Sequence, residues 1–226
     1  MDRAEGIKIG TISFGPLMLR ADLLIFLLSA MIGYIVLMIK LRGSEAGGWI
    51  KDTYVNAVGI GFFLWKFSML FFDPQAALSN PLSLLYFSGG QRGLGLGIIG
   101  GVAYLIYRSY RSRPYMIPLI KAAILAYGAV QAARFTMLFL WEGTMGWDNL
   151  LQALLSAALG IAAWLKFESP LRSYVPLALW YSLGSAIAPF LNENRHVVLV
   201  GFSLEQLFFV LVAVSLLFLD SLWNKR

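Results

Sequence analysis

The 226-residue chain contains no cysteine and one histidine, His196. The first absence excludes disulfides, a thiolate nucleophile of the chain's own and thiolate metal sites. A single histidine leaves a histidine-built metal centre without ligands. No metal and no cofactor is therefore expected. Charge is also scarce: 13% of residues are Asp, Glu, Lys or Arg, against about 25% in soluble domains. What replaces charge is apolar, with 59% hydrophobic residues and a mean hydropathy of +0.72. That composition places the chain in a membrane before any motif is read. The formal net charge of +6 would suggest nucleic acid in a soluble protein. Here the positions of the charges carry the information, and no nucleic-acid partner is expected. Residues 1–20 lack the basic start and apolar core of a cleavable signal peptide.

Hydropathy predicts an all-α, polytopic fold, a single transmembrane domain over residues 1–226 with seven spans. They lie near 17–39, 53–72, 93–107, 116–141, 149–167, 174–191 and 197–219, after a short extracytoplasmic segment, 1–16. The fifth, "NLLQALLSAALGIAAWLKF", is rich in the small residues that let helices approach closely in lipid. Ten Lys and Arg fall on one side: Lys40, Arg42, Lys51, Arg108, Arg111, Arg113, Lys166, Arg172, Lys225 and Arg226. Five fall on the other: Arg3, Lys8, Arg20, Arg92 and Arg195. The richer side is expected to be cytoplasmic, which puts the N-terminus outside and the C-terminus inside. The aromatic residues Tyr54, Trp141, Trp147 and Trp223 fall near the predicted interfaces.

Seven glycines crowd residues 89–101. Gly95, Gly97 and Gly100 spell G-x-G-x-x-G, but a dinucleotide site needs a buried strand before the motif and a carboxylate about 20 residues on. "LLYFSGGQR" is not such a strand and "RPYMIP" holds no acid, so no nucleotide is expected. Two readings stay open for the glycines. They allow close helix packing, or they form a helix start whose N–H groups, with Arg92 beside Gly93 and Gly95, attract an anionic headgroup.

Ionisable residues inside spans cost ~2.5–3.5 kcal/mol each on insertion scales and are functional candidates by default. Counted from the outer ends of the predicted spans, Lys66, Arg134 and Glu205 share a depth of ~9–12 Å. Asp22 and Arg92 lie nearer the outer surface. Lys121 sits in the inner half, within reach of the cytoplasmic interface. The three charges are either a salt-bridge layer between helices or the lining of a cavity for a charged headgroup. Arg134 is the strongest candidate, because a guanidinium forks onto phosphate, with Gln131 one turn away. Glu205 is a candidate ion-pair partner or base. His196, in the loop "NENRHVV", reads first as a solvated loop residue.

The order of these features resembles prolipoprotein diacylglyceryl transferase. "IGTISFGPLMLRADLLIFLLSAMIGYIV" is similar to that family's segment before and through its first helix, and "NPLSLLYFSGGQRGLGLGIIGG" to its segment before the glycine motif. Two departures are plain. The family's glycine motif begins with histidine, and none lies between 88 and 101 here, where Leu94 or a neighbour stands in its place. "LRADLL" stands where the family has an aromatic pair. "AARFTM" is similar to the family's arginine segment, Arg134 matching the arginine and Met137 replacing an asparagine. Glu142 matches a downstream glutamate, and Glu205 in "GFSLEQL" another. The resemblance implies transfer of diacylglyceryl from phosphatidylglycerol to a lipoprotein cysteine in a bacterial cytoplasmic membrane. It implies an anionic lipid at Arg134, proton transfer by Glu205 or Glu142, and a lipoprotein precursor as partner; Lys66, Arg92, Gln131, Gly93 and Gly95 join Arg134 as headgroup candidates from their charge, depth and spacing alone. The alternative is a non-catalytic lipid- or lipoprotein-binding protein on the same scaffold. A retinal photoreceptor is excluded, because residues 197–219 hold no lysine for a Schiff base.

Overall fold

A computed structural model describes residues 11–14, 17–79, 89–142, 146–192, 197–199 and 201–224. The chain is predominantly helical, and a helix occupies each of the seven apolar segments. Four helical stretches are long and apolar enough to cross a membrane: 23–40, 113–141, 147–165 and 171–191. The pattern of burial agrees with a membrane protein. Leu140, Leu165, Trp180 and Leu211 are each more than 60% exposed. Meanwhile Ser29, Thr53, Ser68, Ser156, Ser185 and Gln206 are among the largest fully buried side chains. Apolar groups outward and small polar groups inward is the arrangement that lipid rewards, because lipid tails compete with apolar side chains for contact.

The chain divides into two compact units, Met1–Leu37 with Ile124–Arg226, and Met38–Ala123. The first unit opens with a hairpin not expected from hydropathy. Strand β1 (Thr11–Phe14) pairs antiparallel with β2 (Leu17–Arg20), Thr11 opposite Arg20 and Phe14 opposite Leu17. Gly-Pro separates the strands in sequence, a turn signal, and β-branched Thr11 and Ile12 favour extension. The first predicted span therefore begins too early: helix α1 is Ala21–Lys40.

In the second unit, α2 (Gly47–Lys66) packs along α5 (Gly90–Arg111). Between them lie two short helices, α3 (Met69–Phe72) and α4 (Pro74–Ser79). The span expected over 53–72 is thus broken after Lys66. At the break the fully buried Ser68 donates from Oγ to the carbonyl of Gly89 (3.4 Å), tying the end of α2 to the start of α5. Further along, Asn56 Nδ2 donates to Tyr104 Oη (3.2 Å) and Arg108 Nε to Thr53 Oγ1 (3.5 Å). The Arg108 guanidinium also lies over the Trp49 ring, 4.9 Å from its centroid. A cation–π contact of this kind contributes about 0.5–1 kcal/mol at an exposed site.

The remaining elements of the first unit are α6 (Met116–Glu142, which enters it at Ile124), α7 (Trp147–Leu165), α8 (Val175–Ile187) and α9 (Leu204–Asn224). Three-residue-per-turn helix precedes α8 (Leu171–Tyr174) and follows it (Ala188–Leu191), making one continuous helical rod. Helix α9 starts seven residues later than the predicted span. A bridge between Leu199 and Phe202 occupies the approach, and Gly201 adopts φ +80° there, a conformation open to glycine. The sequence Ser-Leu-Glu-Gln then starts the helix as a reciprocal capping box. The Ser203 N–H donates to Gln206 Oε1 (2.8 Å), and the Gln206 N–H to Ser203 Oγ (3.3 Å).

Candidate functional site

A cavity of about 580 Å³ lies in the first unit among α6, α7, α8 and α9. Helix α6 supplies Gln131 and Arg134, three residues apart and so on one face, with Phe135 beside them. Helix α7 supplies Gln152, α8 supplies Tyr181, and the first turns of α9 supply Glu205 and an apolar wall that includes Phe208 and Phe209. The side chains sort by chemistry. Gln152 and Tyr181 are buried polar groups, whereas Arg134 and Glu205 are exposed. The guanidinium of Arg134 stands over the Phe135 ring, Cζ 5.0 Å from its centroid.

Behind the cavity runs a polar network. Tyr181 Oη donates to Tyr127 Oη (3.3 Å) and lies 3.4 Å from Ser156 Oγ; Gln131 Nε2 also donates to Tyr127 Oη (3.5 Å). Ser185 Oγ donates to Gln152 Oε1 (3.1 Å), and Gln152 Nε2 donates back to the Ser185 carbonyl (3.4 Å). Gln206 Nε2 donates to the Ala186 carbonyl (3.0 Å). In hydrocarbon each of these groups would cost free energy unpaired, and paired they fix the polar side of the cavity. Gln152 and Ser156, and Tyr181 and Ser185, are each spaced four apart within apolar helices. That spacing is the sequence signal for an inward polar stripe, and it adds Gln152 and Tyr181 to the residues expected from charge alone.

Of the predicted site residues, Gln131, Arg134 and Glu205 come together in this cavity. Among the described residues no ion pair within 4.0 Å joins Arg134 to Glu205. The equal depths expected for Lys66, Arg134 and Glu205 assumed helices running unbroken to residue 72 and starting at 197. With the observed ends, Lys66 stands in the last turn of α2 and Glu205 in the first turn of α9. Each position suits its charge, a cation at a helix C-terminus and an anion at an N-terminus. Glu142 is the last residue of α6, and its side chain falls outside the described residues, as do His196 and the side chain of Asp22.

Lys66, Arg92, Gly93 and Gly95 belong to the second unit. Arg92 is exposed near the start of α5. The glycines there lie inside a regular helix, not in a strand-to-helix loop, and they divide by face. A Cβ on Gly97 would stand 2.5 Å from the Gly61 carbonyl oxygen, and one on Gly93 would press on Ser68 and the Trp65 carbonyl. A Cβ on Gly95 would meet nothing within 4 Å. Close packing against α2 therefore accounts for Gly93 and Gly97. A matching close approach occurs in the first unit, where a Cβ on Gly128 of α6 would lie 2.8 Å from the Cα of Gly160 in α7. Compared with known proteins, the chain matches no family model, no curated protein and no solved structure.

Proposed function

We propose that this chain is a polytopic bacterial membrane protein, N-terminus outside, that binds a phospholipid by its phosphate at Arg134. The observation that carries this is the convergence of Arg134, Gln131, Gln152 and Tyr181 on one cavity with an apolar wall. A guanidinium in a lipid-facing cleft is costly without a counter-charge. No carboxylate lies within ion-pair distance of it among the described residues. A phosphate supplies that charge in bidentate geometry, and the second N–H of the Gln131 and Gln152 amides offers a donor to ester or headgroup oxygens. Phe208, Phe209 and their neighbours line the path of acyl chains. About 580 Å³ falls in the range of about 300–1,000 Å³ common for ligand pockets. The test is thermal stabilisation of the delipidated full chain by phosphatidic acid compared with diacylglycerol of the same chains. Phosphatidic acid should stabilise the protein and diacylglycerol should not. Equal effects would reject the phosphate reading.

A second reading, diacylglyceryl transfer to a lipoprotein thiol, draws on one observation, that Glu205 lines the same cavity as Arg134. The thiol proton would pass to the Glu205 carboxylate. The carbon–sulfur bond would form as the glyceryl carbon–oxygen bond breaks, and the phosphate would leave with the electron pair, held by Arg134. General-base help of this kind contributes about 10²–10⁴-fold. Purified protein, phosphatidylglycerol and a lipobox peptide distinguish the readings. Turnover abolished by Glu205→Gln supports transfer; binding without turnover supports the non-catalytic lipid-binding protein.

A further inference from the structure

Charge in the cavity is balanced in a way the predicted ligand does not match. Its described lining holds one cation, Arg134, and one anion, Glu205. An anionic lipid such as phosphatidylglycerol would neutralise Arg134 and leave the Glu205 carboxylate facing a headgroup with no positive charge. The lipid phosphate and the Glu205 carboxylate, like charges on one cavity, then repel with no cation between them. A lipid whose phosphate is followed by a primary amine answers both groups, phosphate to guanidinium and ammonium to carboxylate. Both are charge-assisted hydrogen bonds, stronger than neutral ones. No ion pair within 4.0 Å joins Arg134 to Glu205, so neither charge is neutralised by the other.

We infer that the cavity selects a zwitterionic, amine-bearing phospholipid of the phosphatidylethanolamine type, with Glu205 as the specificity residue that receives the ammonium. This rests on the reading that Arg134 holds a phospholipid phosphate. It also replaces the phosphatidylglycerol class implied by the family resemblance. Discrimination comes from the amine: both lipids carry one phosphodiester anion, and only the ethanolamine lipid adds a cation that pairs with the carboxylate and offsets its repulsion from the phosphate. Glu205 also suits the N-terminus of α9 for a purely structural reason. A headgroup preference is a readout that such a structural role would not move.

The experiment titrates the delipidated full-length protein in a neutral detergent with phosphatidylethanolamine, phosphatidylglycerol and phosphatidylcholine of matched chains. Retained lipid is counted by native mass spectrometry. The wild type should favour phosphatidylethanolamine over phosphatidylglycerol by about tenfold, which is about 1.4 kcal/mol. Phosphatidylcholine, whose quaternary amine has no N–H, should bind between them. Glu205→Gln should bring the ethanolamine and glycerol lipids within about twofold, and Glu205→Asp should restore part of the preference. Circular dichroism establishes that each variant is folded. Equal or better retention of phosphatidylglycerol by the wild type, still dependent on Arg134, would overturn the inference while sparing phosphate binding. So would an ethanolamine preference unchanged in Glu205→Gln. Retention of all three lipids unaffected by Arg134→Gln would overturn both.

Discussion

Gln206 shows how much one side chain does at the start of α9. It is fully buried, caps the helix through Oε1 and bonds the Ala186 carbonyl through Nε2. Gln206→Ala removes the cap and strands a buried acceptor, so it should lower stability by about 1–3 kcal/mol. Glu205→Gln, at the exposed residue just before it, should change it by no more than about 0.5 kcal/mol. Equilibrium unfolding in mixed micelles, followed by circular dichroism, compares the two. Tyr181→Phe deletes the hydroxyl linking Ser156 to Tyr127 and should cost about 0.5–1.5 kcal/mol in the same assay. Arg134, Gln131 and Glu205 were legible in the sequence because charge or strong polarity in an apolar run is expensive. Gln152 and Tyr181 were harder to see. A lone amide or hydroxyl is common in membrane helices, and only its spacing from Ser156 or Ser185 marks the inward face.

At the scale of elements, each predicted span holds a described helix, but α4 (Pro74–Ser79) falls in none of them and several ends are misplaced. Hydropathy cannot distinguish an apolar strand from an apolar helix start, so Leu17–Arg20 was absorbed into the first span. It likewise ran past Ser68, whose bond to the Gly89 carbonyl is a contact between residues far apart in sequence. The start of α9 was available in principle. Ser203 and Gln206 spell a capping box, and reading it would have placed Glu205 in a first turn. The glycine cluster gives a sharp test of packing against anion binding. Gly97→Ala pushes a methyl onto the Gly61 carbonyl and should destabilise the α2–α5 pair by about 1–3 kcal/mol. Gly95→Ala enters open space and should be neutral or stabilising by up to about 1 kcal/mol. If the two alanines were equivalent in thermal unfolding, the packing account of the stretch would fail.

For the whole molecule, the basic asymmetry and the seven apolar segments predict a cytoplasmic C-terminus. A fusion after Arg226 should therefore be active with a reporter that works in the cytoplasm and silent with one that works outside. The reverse pattern would reject the seven-span arrangement. Four helical stretches meet the length and hydropathy of a span outright. Helices α2 and α5 fall short because Lys51, Asp52 and Lys66 interrupt the one, and glycines with Arg92, Arg108 and Arg111 dilute the other. The central claim is that the first unit holds a phospholipid through Arg134. Its most direct measurement is the number of phospholipids retained per chain after mild detergent extraction, for wild type, Arg134→Lys and Arg134→Gln. Lysine keeps the charge without the planar fork. The account predicts a bound lipid in the wild type, reduced occupancy with lysine and a loss of about tenfold or more with glutamine, since hydrogen bonds to charged groups contribute about 1.5–3 kcal/mol. Equal occupancy in a folded Arg134→Gln protein would contradict it.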